Sequence, residues 1–115
     1  MPLIKLQTSV HISDDQEGDF IVSLSRIISE CIGKPERYVM VTIDETPIMM
    51  AGEPGNAAFA DVRSIGGLNS DVKARLSQKI CKLLQESLMI PNDRVYINFA
   101  DISADNWGWN GSTFG

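Results

Sequence analysis

Apolar residues alternate with polar ones near both ends of this chain and recur every three to four positions in two stretches between. From Leu3 to Val10, Ile4, Leu6 and Thr8 alternate with Leu3, Lys5 and Gln7, which is the period of a strand. Ser13-Asp14-Asp15-Gln16 fits a capping box with acidic residues on the first helical turn. Phe20, Ile21, Leu24, Ile27, Ile28, Cys31 and Ile32 follow at helical spacing, and Gly33 and Pro35 predict the helix end. Tyr38 to Asp44 predicts a second strand, with Val39, Val41 and Ile43 on one face and Tyr38, Met40 and Thr42 on the other. Glu45-Thr46-Pro47 reads as a turn, Ile48 to Ala51 as a short apolar piece, and Gly52 to Asn56 as a loop. Ala57 to Ile65 predicts a third strand, broken by Gly66-Gly67. Asn69 or Ser70 then caps a second helix. Its apolar face is Val72, Leu76, Ile80, Leu83, Leu84 and Leu88, and Pro91 stops it. Arg94 to Ala100 predicts the last strand, Val95, Ile97 and Phe99 alternating with Tyr96, Asn98 and Ala100. The tail from Asp101 to Gly115 is polar and glycine-rich, yet carries Trp107, Trp109 and Phe114.

Two halves emerge, each reading strand, long helix, strand. Their helix exits are alike: Pro35-Glu36-Arg37-Tyr38-Val39 and Pro91-Asn92-Asp93-Arg94-Val95-Tyr96. The pattern predicts a duplicated β-α-β unit with parallel strands inside each unit. Pooled, the strands make one mixed sheet with both helices on one face, an α+β layer. The other sheet face, with Met40 on it, has no cover from the chain itself, so a short chain of this kind is expected to oligomerise.

Composition narrows the class. A length of 115 residues predicts a single domain spanning 1–115. A formal charge of −5 argues against a nucleic-acid partner, which calls for a basic patch. No apolar run approaches the roughly 20 residues of a membrane span. No basic start leads into an apolar segment, so no secretory signal is expected, and a cytoplasmic location is. Cys31 and Cys81 each sit in an apolar helical pattern and read as buried, reduced thiols. His11, the only histidine, has no ligand partners at metal-binding spacing, so no metal site is expected and His11 reads as a loop or surface residue.

The chemistry begins at Met1-Pro2. A chain that starts Met-Pro usually loses its methionine, leaving a secondary amine at the tip of a strand. Burial beside apolar neighbours lowers the pKa of such an amine from its ordinary value of about 7.7–8.0. A base with a pKa near the working pH transfers protons well. Lys34, between Gly33 and Pro35, fits either a substrate carboxylate or the negative end of the helix before it. Ser64-Ile65-Gly66-Gly67 offers backbone N–H groups to an anion, or is a plain turn. Tyr96 and Asn98 share a strand face, and Asn98 suits either a ligand or the sheet surface. The aromatic tail could wall a pocket or dock the C-terminus.

Taken together, Met1-Pro2, Gly33-Lys34-Pro35, Ser64-Ile65-Gly66, Asp93-Arg94-Val95-Tyr96-Ile97-Asn98 and Gly108-Trp109-Asn110-Gly111-Ser112-Thr113-Phe114 resemble the macrophage migration inhibitory factor family of the tautomerase superfamily. The likeness runs from Pro2 to Phe114 in order. It implies a homotrimer around a central channel, with sites at subunit interfaces. It implies cofactor-free tautomerisation of phenylpyruvate-like 2-keto acids and their enols, and of dopachrome-type compounds. Pro2 would be the catalytic base, with Lys34 and Ile65 binding substrate from one subunit and Tyr96 and Asn98 from the next. Trp107, Trp109 and Phe114 would wall the pocket. The sequence also departs from the family. Ala57-Ala58-Phe59-Ala60 stands where animal members carry Cys-x-x-Cys, so no thiol–disulfide activity carries over. Trp107 replaces a smaller apolar residue and Ala100 an aromatic one, which bears on substrate range and on any receptor binding. Two other readings stay open: a cytokine-like interaction protein with a vestigial pocket, and a different amine-dependent reaction such as hydration or decarboxylation.

Overall fold

The computed structural model describes residues 1–115. Its elements in order are β1 (Pro2–Thr8), α1 (Asp14–Ile32), β2 (Met40–Glu45), a hairpin of β3 (Met49–Met50) and β4 (Glu53–Pro54), β5 (Ala58–Ser64), α2 (Ser70–Leu88), β6 (Val95–Asp101), and a second hairpin of β7 (Gly108–Trp109) and β8 (Ser112–Thr113). The four long strands form one sheet in the order β2-β1-β5-β6. β1 pairs parallel with β2 across α1, and β5 pairs parallel with β6 across α2. The two units meet through the antiparallel pair β1–β5. The α+β architecture and the duplicated β-α-β unit are therefore as expected.

Both helices are built by local signals and held by one core. Ser13 Oγ accepts the Gln16 N–H at 3.3 Å and the Gln16 side chain accepts the Ser13 N–H, closing the capping box. Gly33, left-handed at φ 76, ends α1. Asn69, not Ser70, caps α2 by accepting the Val72 N–H at 2.9 Å. Leu24 and Ile28 of α1 and Leu76, Ile80 and Leu84 of α2 are fully buried against Ile4, Leu6, Ala60 and Val62 of the sheet. Burying each large aliphatic chain is worth roughly 1.5–3 kcal/mol, more than a cap provides, so the shared core rather than helix propensity fixes the layer. Cys31 is buried as expected; Cys81 is only half-buried, because α2 rolls Ile80 rather than Cys81 into the core.

Strand ends differ from the pattern for identifiable reasons. β1 stops at Thr8, before Val10, because the buried Thr8 hydroxyl donates to the Ala57 carbonyl at 3.0 Å and accepts the Val10 N–H at 3.1 Å. β2 starts at Met40 because Glu36–Tyr38 wind into a 3₁₀ turn, with the Tyr38 N–H on the Pro35 carbonyl at 3.0 Å. The apolar piece at 48–51 and the following loop contain the hairpin β3–β4, turned by Ala51 and Gly52 at φ 55 and 72. Arg94 secures that hairpin by donating to the carbonyls of Asn56, Glu53 and Met50 at 2.9, 2.9 and 3.3 Å.

The face away from the helices is less apolar than Met40 alone suggested. In-register rows cross it: Met40, Leu3, Arg63 and Ala100; then Thr42, Lys5, Asp61 and Asn98; then Asp44, Gln7, Phe59 and Tyr96. Apolar side chains stand in the outer rows, and Arg63 pairs with Asp61 at 3.1 Å.

His11 lies in the β1–α1 connection and joins it to the end of β2. Its Nδ1 is 3.1 Å from a Glu45 oxygen, while the other Glu45 oxygen accepts the Ile12 N–H at 2.7 Å. The hydrogen bond and charge of Glu45 raise the His11 pKa. A raised folded-state pKa means that the pairing contributes fully below the unfolded value, about 6.5, and is lost as pH rises through the folded value. In Glu45→Gln the His11 titration, followed by NMR, should move down toward that ordinary value; an unmoved titration would show that Glu45 does not govern it.

Candidate active site

Pro2 begins the strand next to the sheet centre and is buried. Its side chain takes the helix-facing side of β1, in line with Ile4 and Leu6, and it pairs across β5 with Ser64. A cleft of about 420 Å³ opens beside it. Met1, Pro2, Tyr38, Met40, Trp107 and Trp109 line this space, with Leu3, Val39, Arg37 and Gly108 completing it. Trp107 and Trp109 stand in the wall of this cleft. Phe114 stands behind it: its ring stacks on Trp109 at 5.8 Å and 12°, and its N–H donates to the Trp107 carbonyl at 3.1 Å. The hairpin β7–β8 that carries Trp109 is made by Asn110-Gly111, left-handed at φ 52 and 83. That two-residue turn matches the right-handed twist of the strands it joins.

Alternation predicts Tyr38 on a strand face, but the 3₁₀ turn places it in the cleft wall. It meets Trp109 edge-on at 6.2 Å, and the Arg37 guanidinium lies over the tyrosine ring at 4.8 Å. The readable signal was Pro35: its fixed φ favours a turn immediately after the helix, not a strand.

Met1 precedes Pro2 in this structure, so the Pro2 nitrogen is an amide and the free amine belongs to Met1. Partial burial, and then the charge of Lys34, lower the pKa of that amine. Lys34, at the exit of α1, has its Cε 3.7 Å from where a Cβ on Gly67 would stand, in the loop that follows β5. Its backbone is tied back to the helix: the Lys34 N–H donates to the Ser29 carbonyl at 3.2 Å, and the Ser29 hydroxyl donates to the Lys34 carbonyl at 2.6 Å. None of the ion pairs in the chain uses its ammonium.

The loop after β5 adds the next group. Asp101 accepts the Gly66 N–H at 2.9 Å, the Ile102 N–H donates to the Ser64 carbonyl at 2.9 Å, and Ser64 Oγ donates to the Gly66 carbonyl at 2.7 Å. The Gly66 N–H is thereby occupied, whereas the Ile65 N–H donates to no group of the chain. Asp101, which holds this loop, was not singled out from the sequence, because carboxylates are plentiful and its partner is remote in the chain.

Pro2, Trp107 and Trp109 share the cleft; Lys34 and Ile65 do not line it but belong to the α1 exit and the β5 loop that meet near Gly67; Tyr96 and Asn98 do not join them. Pro2 is level with Ser64, which is level with Asp101. Asn98 is three residues back along β6, about 10 Å at the rise of a strand, and two strands of about 4.8 Å away. Both Tyr96 and Asn98 also point to the open face, Tyr96 being 67% exposed. Within one chain they contribute nothing to the cleft.

Comparison with known proteins now bears on this geometry. The family model described as "Macrophage migration inhibitory factor (MIF)" matches residues 1–115. A "Macrophage migration inhibitory factor homolog" of Trichuris trichiura is 38% identical over 115 residues, covering 99% of this chain and 100% of that protein. The crystal structure of a macrophage migration inhibitory factor-like protein from Entamoeba histolytica superposes with a TM-score of 0.94 at 31% identity, covering 98% of each chain. A homologue from Prochlorococcus marinus superposes at 0.93 and 38% identity, covering 98% of this chain and 99% of the other.

Proposed function

This chain belongs to the macrophage migration inhibitory factor family, with the fold of the tautomerase superfamily, and from that premise we propose that it is a cofactor-free keto–enol tautomerase whose general base is the amine of Pro2, freed by removal of Met1. The observation that carries the reading is the placement of a buried Pro2 in an aromatic-walled cleft, with Lys34 beside the loop that follows the paired strand β5. Phenylpyruvate-like 2-keto acids and dopachrome-type compounds are its substrates in this proposal.

The neutral Pro2 amine takes a proton from the carbon beside the keto group. The C–H electron pair moves into the carbon–carbon bond, the carbonyl π pair moves onto oxygen, and the protonated amine returns the same proton to that oxygen, giving the enol and the neutral amine; the reverse path restores the ketone. Lys34 and the Ile65 N–H hold the carboxylate and so orient the carbon toward the amine. Trp107 and Trp109, backed by Phe114, keep water away, which strengthens these electrostatic contacts. An enol–keto assay with phenylpyruvate tests the reading. Turnover supports it, while its absence from material shown to begin at Pro2 favours an interaction protein or another amine-dependent reaction.

Tyr96 and Asn98 enter the site only from a neighbouring subunit. Their 10 Å offset and their placement on the open face support an assembly in which one copy completes the cleft of another, a homotrimer in this proposal. The outward edges of β2 and β6 are unpaired, and edges of this length call for a partner. Sedimentation should give a trimer, and a stable monomer at micromolar concentration would remove Tyr96 and Asn98 from the site.

A further inference from the structure

The loop Ser64-Ile65-Gly66-Gly67 runs past the end of α1. Gly66 and Gly67 are both left-handed, at φ +73 and +79, but their surroundings differ. A Cβ on Gly66 would meet nothing within 4 Å. A Cβ on Gly67 would lie 2.8 Å from Ile32 Cγ2, 3.2 Å from the Ile32 carbonyl oxygen and 3.7 Å from Lys34 Cε. A side chain on Gly67 would thus overlap the last residue of α1 and lie in ordinary contact with the far end of the lysine's alkyl chain.

Neither neighbour yields freely. Ile32 is 7% exposed and belongs to the core. The residue after it is the left-handed Gly33 cap, whose N–H is held by the Ser29 carbonyl at 2.9 Å. The Lys34 backbone is fixed to Ser29 through both its N–H and its carbonyl. What remains adjustable in Lys34 is its side chain, whose Cε lies 3.7 Å from where a Cβ of residue 67 would stand.

We propose that Gly67 is a positioning residue for Lys34: the missing side chain at position 67 lets the loop pack directly on Ile32 at the exit of α1, with the lysine's alkyl chain alongside, and so sets where the ammonium stands relative to the N-terminal amine and the Ile65 N–H. A Cβ there would strike Ile32, two residues before Lys34, while only resting in contact with the lysine's alkyl chain, so the lysine would move with the shifted end of α1. The site would then lose part of its preference for carboxylate-bearing substrates while keeping its base. The kinetic consequence rests on the tautomerase reading above; the geometric one does not.

Gly67→Ala, in material shown by mass to begin at Pro2, separates the two. NMR titration of the Pro2 amine reads the lysine's place without any turnover. In Gly67→Ala the amine should titrate higher than in the parent protein, toward its value in Lys34→Ala, and the double variant should match Lys34→Ala alone. In the enol–keto assay KM for a 2-keto acid should rise by about three- to tenfold, a fraction of a whole charge-assisted contact. With the methyl ester of the same acid, which offers Lys34 no charge, kcat/KM on the high-pH plateau should hold. Ile32→Leu removes the Cγ2 that a residue at 67 would strike while conserving volume, so Gly67→Ala/Ile32→Leu should bring both readouts part of the way back. An amine titration unmoved by Gly67→Ala overturns the proposal whatever the kinetics, as does an equal loss with acid and ester. A moved titration in a protein without turnover upholds the positioning role and sinks the tautomerase reading.

Discussion

Material that begins at Pro2 is expected to turn over 2-keto acids at least about 100-fold faster than material that keeps Met1, the lower end of what a positioned general base contributes. The difference is one of chemistry, not fold. With Met1 attached, the Pro2 nitrogen is an amide whose lone pair is delocalised and takes no proton at neutral pH. The Met1 amine does titrate, and its pKa is lowered by partial burial and by Lys34. It sits one residue away from the reacting position, however, and Met1 itself lines the cleft that the substrate would enter. Once Met1 is gone, a Pro2 amine that lies deeper and next to the same lysine should be disfavoured as a cation by the same two causes. The sign follows directly. The base works when neutral, so kcat/KM should rise with pH and level off below the ordinary α-amino range of about 7.7–8.0. Intact-mass measurement paired with the enol–keto assay decides the point. Full activity in a preparation that demonstrably retains Met1 would end the proline-base mechanism, and so would an acid limb at or above the ordinary amine value.

Lys34→Ala is expected to raise KM for a 2-keto acid by roughly 10- to 150-fold, the equivalent of about 1.5–3 kcal/mol for a lost contact to a charged group. The fold should survive, because the Lys34 side chain makes no ion pair within the chain and its backbone bonds to Ser29 do not depend on the side chain. A second effect separates this role from simple helix-end electrostatics. The lysine also lowers the pKa of the neighbouring amine, so its removal should move the acid limb of the pH–rate profile upward. A cation that merely faces the negative end of α1 would cost some helix stability and leave both KM and the pH limb in place. Unchanged kinetics with a lowered melting temperature would therefore return Lys34 to the helix.

Much of this architecture follows from the sequence by itself, because the signals concerned are local. The apolar spacing of Phe20, Leu24, Ile28 and Ile32, and of Val72, Leu76, Ile80 and Leu84, is enough to set the buried faces of both helices. Ser13-Gln16 and Asn69 set their starts, and alternation sets which side of each strand turns inward. The candidate base, lysine and tail aromatics were legible as residue types in an order that resembles a known family. Tertiary structure alone decided what could be brought together. The meeting of the α1 exit with the loop after β5 joins residues more than thirty positions apart, at Gly67, and the level of Pro2 with Ser64 is set by the register between β1 and β5. Tyr38 left its predicted strand because Pro35 and the preceding helix end favour a 3₁₀ turn over one more extended residue. Tyr96 and Asn98 share a strand with Asp101, yet sheet register and the side-to-side alternation of strands carry them away from Pro2 and onto the other face. Periodicity tells each residue which way to point relative to its own element; distance between elements is a property of packing, and that is why the cleft became visible only in the folded chain.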